Sequence, residues 1–433
     1  MAALAQLPQE VWLLVLSFLE PKDRAHIRAS CQFFRRLADH PCLWRKHTVL
    51  LKEGRSFNRG LWRTLRRRRP GAIVIQKATI RALESMSTQL PWLASLTIEQ
   101  CSDSKVLYNL PRFKNLAELV MVGVPCPPGL ADLMASLVRL TNLCLCSLKG
   151  DPRAVLLHAA PHLTNLMTLR YHQSDHPLNK RALNTLLSNL PNLKCLSLKM
   201  GKLHGTLPDD YFTLPRVNGD RSAAGQQGKC EPVLTRLELL HYMDPILSPV
   251  ALDHLSSLES LTVFYRQRSV EAHECNLNKW LHKLPCLSEL TVMNGYSLGA
   301  YVHSVPAMLR TLCLQNVVFG PADLSAIGKR APGIQHLSVD RRICDGQRSL
   351  QEVPVLFHQL RTLQMSYLDM AELDFGSLAQ LQHLDQLVIL DSHPSCRADL
   401  LDQIHKFKCL TDYRVQVVHS ERRRDPFICY CCL

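Results

Sequence analysis

Seventeen cysteines and nineteen histidines are the side chains of this 433-residue chain best suited to metal or nucleophile chemistry. Their spacing argues against it. Cys144 and Cys146 stand two apart, on one face of an expected strand. A structural zinc site needs four converging donors, and no second cysteine pair answers these two. His158 and His162 have helical spacing, but Pro161 interrupts the helix between them, and His172 and His176 straddle a strand end. No H-E-x-x-H, no phosphate-cradling glycine loop and no G-x-S-x-G is present. No metal, cofactor or catalytic residue is therefore expected. Two basic clusters remain. Arg66 to Arg69 could serve a nucleic acid or a nuclear import receptor, but a solvated linker helix or a contact to an acidic neighbour is the preferred reading. Arg422-Arg423-Arg424 stand close to Cys429, Cys431 and Cys432. Basic charge beside acylated cysteine would give a two-part membrane anchor; a tail packed on the last element is the alternative. The fourth residue from the end is Tyr430, so no prenylation box is expected.

The charge and the apolar residues point to binding. The net charge is +14, and residues 1–70 hold 15 Lys and Arg against 5 Asp and Glu. Most of the excess thus sits at the N-terminal end, which calls for an acidic partner there, with no nucleic-acid groove along the rest. Hydrophobic residues make up 46% of a chain too long for one compact core, so a repeat array or several domains are expected. No apolar run reaches the roughly 18 to 20 residues of a membrane span. The short run at 11–19 lacks the features of a signal peptide. Scattered cysteines in odd number favour a reducing compartment, cytoplasm or nucleus, with peripheral membrane association only if the C-terminal cysteines are acylated.

A helix is expected from about Gln9 to Leu19. Val11, Leu14, Val15 and Phe18 form an i, i+3, i+4, i+7 stripe, yet Trp12, Leu13, Leu16 and Leu19 are apolar too. A short helix apolar nearly all round has a second face to bury, and in so small a module another chain would cover it. Pro21 restarts a helix, Ile27, Cys31, Phe34 and Leu37 follow at helical spacing, and Leu43-Trp44 supplies a bulky anchor. Leu7-Pro8-x-Glu10, the apolar helix from Val11 through Leu14 to Phe18-Leu19, Pro21-x-Asp23-Arg24, Cys31 with Phe34, and Leu43-Trp44-Arg45 resemble an F-box over about a tenth of the chain. The resemblance differs at Arg24, at Ser30 and at Phe34, where the family often has leucine, valine and tryptophan. It implies that Leu7, Pro8, Glu10, Val11, Leu14, Phe18, Leu19, Ile27, Cys31, Phe34, Leu43 and Trp44 hold the small acidic Skp-type adaptor of an SCF ubiquitin ligase and, through it, a cullin scaffold.

From Leu93 onward L-x-x-L-x-[LIV] recurs. Its reference residue is Leu96, Leu119, Leu143, Leu169, Leu196, Leu237, Leu261, Leu290, Leu312, Leu337, Leu363 and Leu387, with Tyr413 in the last and weakest copy. Spacings of 22 to 29, broken by a single gap of 41, are those of leucine-rich repeats. The expected fold is an α/β repeat solenoid: a leucine-rich repeat horseshoe preceded by a small all-α F-box module. The expected boundaries are 1–48 for that module, 49–89 for a basic linker and first helical cap, 90–418 for about 13 repeats with a loose insertion at 203–232, and 419–433 for the basic, cysteine-rich tail. Strand alternation places Glu118, Arg170, His172, Arg236, Glu238, Phe264, His336 and Asp340 on the face turned from the core, where an as yet unidentified protein substrate would bind. Their mixed charge suits protein, not phosphate, so no nucleic acid is expected. The whole reads as a non-catalytic substrate adaptor. The competing reading is a repeat scaffold whose F-box does not drive ubiquitination.

Overall fold

The computed structural model describes residues 7–52, 57–201, 205–213, 232–268, 275–340, 350–366, 375–391 and 398–421. Three helices come first, α1 (Gln9–Ser17), α2 (Pro21–Ser30) and α3 (Gln32–Ala38). Fifteen short strands then alternate with helices and turns. The chain divides into two compact units, Met1–His176 with Asn189–Asn192, and Pro177–Ser188 with Leu193–Leu433.

The first unit holds the three helices and strands β1 (Thr48–Leu51), β2 (Ala72–Gln76), β3 (Ser95–Glu99), β4 (Glu118–Val122), β5 (Asn142–Cys146) and β6 (Thr168–His172). Each pairs in parallel with the next. Helix α4 (Arg59–Arg68) precedes β2 and α5 (Ile80–Gln89) precedes β3. The register aligns one buried residue per strand: Ile73, Leu96, Leu119, Leu143 and Leu169 follow one another across the ladder. A lone repeat would leave these side chains wet; stacking makes them one core. Side chains also bridge successive repeats. Asn115 Nδ2 donates to the Pro91 carbonyl, Asn165 Nδ2 to Val138 and Asn192 Nδ2 to Thr164, at 2.8, 2.8 and 2.9 Å. These bonds satisfy backbone carbonyls in turns that no strand partner reaches.

The second unit carries β7 (Cys195–Lys199), β8 (Arg236–Tyr242), β9 (Ser260–Arg268), β10 (Glu289–Gly295), β11 (Thr311–Gln315), β12 (His336–Asp340), β13 (Thr362–Ser366), β14 (Gln386–Asp391) and β15 (Gln416–Glu421), again paired in parallel in sequence order. Tyr242 packs on Tyr265 and Tyr265 on Tyr296, each pair 5.5 Å between ring centroids, so an aromatic stack links three repeats.

The fold is the expected parallel solenoid with a helical N-terminal module, but three boundaries differ. The segment 49–89, expected as linker and cap, already contributes β1 and β2. Neither carries the leucine motif, because their register residues are Val49 and Ile73. At the other end Tyr413 is not a strand residue; it is exposed, with φ of 58°, and Val417 takes the place opposite Leu387. β-Branched residues fill the same inward position as leucine and favour strands, so the motif changes letter while the geometry does not. The insertion at 203–232 is not loose throughout. Tyr211 and Phe212 are buried edge to face, and the Tyr211 hydroxyl donates to the Leu178 carbonyl at 2.7 Å. Two aromatic rings bury enough apolar surface to tie down a short polar stretch.

Candidate functional site

Helix α1 starts after Pro8, whose carbonyl accepts from Val11 and Trp12 at 3.1 and 3.3 Å. Glu10 lies in its first turn, at the positive end of the helix dipole. Its inner face meets a compact core. Leu16 is 1% exposed and packs with Leu37, Leu43 and Trp44, while Trp12, Leu13, Leu19, Ile27 and Phe34 lie half-buried around them. Trp12 stands edge-on to Phe34 at 5.1 Å. The other face holds Val11, Leu14, Val15 and Phe18, all exposed, Phe18 at 81%, with Leu7 exposed just before the helix. This is the i, i+3, i+4, i+7 stripe of the sequence, and it points to solvent. The residues between its members make the core.

The twelve candidate docking residues therefore separate. Leu7, Pro8, Glu10, Val11, Leu14 and Phe18 are open to solvent. Leu19, Ile27 and Phe34 pack against the module's own core. The Cys31 thiol accepts from the Phe34 amide at 3.5 Å and caps α3. Leu43 and Trp44, expected to anchor a partner, are buried, and Trp44 Nε1 donates to the Ala38 carbonyl at 2.6 Å. Their role is internal, because a side chain already enclosed has no surface left to offer.

Two charged fastenings hold this module in shape. Arg24 is 4% exposed. Its Nε donates to the Leu16 carbonyl at 2.9 Å, Nη2 to Ser17 at 3.1 Å and Nη1 to Leu43 at 2.7 Å, and Nη1 also lies 2.8 Å from His47 Nε2. The guanidinium thus closes the C-terminal end of α1, where carbonyls lack helical partners and the dipole is negative. A guanidinium only donates, so His47 Nε2 must be the acceptor and the ring neutral. Burial, then the Arg24 charge, holds the His47 pKa below its ordinary value. Burial likewise lowers that of Arg24. Arg24, one of the residues at which the sequence departs from the family habit, is thus a structural clasp. Ser30, a second such position, is exposed and donates locally to the Ile27 carbonyl at 2.7 Å.

The second fastening is Asp39, fully buried. Arg28 Nε reaches both its carboxylate oxygens at 3.0 Å. Arg67 Nη2 and Arg68 Nε, from α4, each meet it at 2.7 Å. The Arg68 guanidinium also lies 3.9 Å from the Trp44 ring centroid. Half of the Arg66–Arg69 run is thus spent inside the chain, and the acidic neighbour is Asp39. Signals for this fastening existed, a single acid amid many bases, but their contact spans 28 residues and could not be read from spacing.

The eight candidate substrate residues also divide. Glu118 is half-buried and accepts from Ser95 Oγ at 2.8 Å. Arg170 is half-buried; Arg236 pairs with Glu289 at 3.1 Å. Phe264 is half-buried against His241, and His336 is open. His172, Glu238 and Asp340, expected to face a partner, are buried instead. Residues of neighbouring strands in register stand beside them on the same face: Cys146 next to His172, Ser197 and Thr262 on either side of Glu238, Gln315 next to Asp340. With strands some 4.8 Å apart, such neighbours remove most solvent from a short side chain. Among the described residues no group of His, Cys, Asp and Glu could hold a metal, and no helix is long and apolar enough to cross a membrane. Cys144 is buried, and His158 meets Asp132 at 3.3 Å. Cys429, Cys431 and Cys432 lie outside the described residues.

No curated protein sequence matches the chain. Among solved structures, an internalin (inlF) from Listeria monocytogenes is 14% identical, over 80% of this chain and 85% of its own, with a TM-score of 0.33. TLR13 in its ssRNA13 complex is 12% identical over 87% of this chain and 47% of its own, TM-score 0.35. A chain of the Drosophila Toll–Spatzle complex is 12% identical over 87% and 55%, TM-score 0.40. Likeness this distant carries no functional argument. The F-box-like family model matches residues 4–49, the span that holds the apolar stripe, the Arg24 clasp and buried Asp39. The N-terminal module of this chain is an F-box-like domain.

Proposed function

We propose that this protein is the substrate-recognition adaptor of an SCF-type ubiquitin ligase. The observation that carries the reading is the solvent-facing stripe of Val11, Leu14, Val15 and Phe18 on a helix whose opposite face is already buried. A contiguous apolar patch of that kind marks an interaction surface. F-box domains generally bind Skp1-type adaptors, and the excess positive charge of residues 1–70 suits an acidic partner of that type. The repeats take the protein substrate on the outward residues of their strands, among them Arg236, Phe264 and His336. The mechanism is proximity. One chain that holds both the ligase and the substrate raises the effective concentration of a substrate lysine beside a charged ubiquitin-conjugating enzyme. The chain itself does no chemistry and needs no cofactor.

The test is affinity purification of the full-length protein with and without proteasome inhibition. Recovered proteins that rise in level on inhibition, and that acquire ubiquitin in the presence of the cullin complex, support the reading. If the adaptor and cullin co-purify but every bound protein keeps its level and stays unmodified, the chain is a scaffold instead.

A further inference from the structure

Asp39 consumes Arg67 and Arg68 from the basic run, and what is left over on α4 forms a pattern of its own. Arg59, Arg63 and Arg66 stand at i, i+4 and i+7 on one exposed side of that helix. Trp62 and Leu65, on a neighbouring side, are buried. Helical rise puts the three guanidinium-bearing positions in a row ~11 Å long. Among the described residues between 32 and 76 the one acidic side chain is Asp39, buried and already shared by three arginines. Three like charges in line repel one another, and helical Arg at i, i+4 destabilises α4 unless an external anion answers it. Asn58 caps the helix, its Oδ1 accepting from the Leu61 amide at 2.9 Å, and the Asp39 clamp fixes its far end, so the row is presented on a rigid element.

We infer that the Arg59–Arg63–Arg66 row is a docking strip for an acidic, carboxylate-rich polypeptide segment, separate from the apolar stripe of α1. Arginine forks pair bidentately with carboxylates, and carboxylates spaced along a peptide match the row's period. The other polyanions fit less well. Nucleic acid would need more phosphate contacts than three to bind at physiological salt, and a stacking ring, whereas Trp44 and Trp62 are both buried. A membrane surface would need apolar side chains beside the charges, and those of α4 turn inward. The inference does not depend on adaptor docking, since it uses a different helix and different residues.

The test titrates full-length protein into a fluorescent Glu-rich peptide of about twelve residues, long enough to cover the row. Binding should weaken steeply as salt rises from about 50 to about 200 mM. The triple variant Arg59→Glu, Arg63→Glu, Arg66→Glu spares Arg67 and Arg68 and should lower affinity about tenfold or more. Lys114→Glu, Lys149→Glu and Lys194→Glu together change net charge equally on exposed repeat positions and should leave affinity nearly unchanged. Circular dichroism and melting confirm that both variants fold. Equal binding by wild type and the arginine variant overturns the inference, as does equal loss in both variants, which would reduce it to net charge. Tighter binding of a single-stranded oligothymidine of matched length, or of phosphatidylserine vesicles, would replace the peptide by that polyanion.

Discussion

Arg24 and Asp39 show how single charged side chains set the shape of the docking module. Asp39 is enclosed with three guanidinium groups. A buried ion cluster contributes little beyond an apolar substitute, but breaking it leaves charge without partner. The three arginines keep part of their surface in water, so Asp39→Ala should destabilise the first unit by about 1–3 kcal/mol, read as an earlier urea transition with faster hydrogen exchange in α3 and α4. An unchanged transition would mean that the cluster is solvated. Arg24 and His47 give a second prediction. The folded His47 pKa is lowered, by burial first and by Arg24 second. The unfolded chain therefore takes up its proton at higher pH than the folded one. Stability from this contact is complete above the unfolded value of about 6.5 and is lost as pH falls through the folded value. Protection of the α1 and α2 amides, corrected for the intrinsic exchange rate at each pH, should fall as pH drops from about 7.5 to about 5.5, and His47→Gln should remove that dependence. Protection that stays flat with pH in the native protein would contradict the assigned acceptor role.

At the scale of elements, α1 is a helix with two apolar faces, and its two faces should respond differently. Leu16→Ala empties a packed core position and should cost about 2–5 kcal/mol. Phe18→Ala removes a larger but exposed side chain and should change stability by less than about 0.5 kcal/mol. Denaturation of the two variants under identical conditions checks this; a severe loss from Phe18→Ala would place that ring in a core. Much of this was legible in the sequence: the period of 11, 14, 15 and 18 marks one face, and the surplus of apolar residues between them requires another. Which face turned inward was not legible. That depended on Leu37, Leu43 and Trp44, which converge on Leu16 from other elements. The repeats were legible wherever leucine held the inward position, and were missed at Val49, Ile73 and Val417, where a β-branched residue does the same work. His172, Glu238 and Asp340 show the limit of alternation. It gives the face a residue occupies, while exposure also depends on the strands at either side.

At the scale of the molecule, an F-box-like domain and a parallel repeat array stand on one chain, and the proposed function requires both to hold a partner at once. The clamp at Asp39 ties α4, the first helix of the array's side, to the helical module, so the docking stripe does not hang from a loose tether. The stripe is proposed to hold an acidic Skp-type adaptor. The most direct measurement is the affinity of full-length protein for the purified adaptor, for the native chain and for the variant Val11→Ala, Leu14→Ala, Phe18→Ala. All three positions are exposed, so the variant should fold. Interface residues of this kind each contribute up to a few kcal/mol, so the variant should bind about 100-fold or more weakly while its melting temperature holds. Native and variant proteins that bind the adaptor with the same affinity would mean that this stripe is not the docking surface.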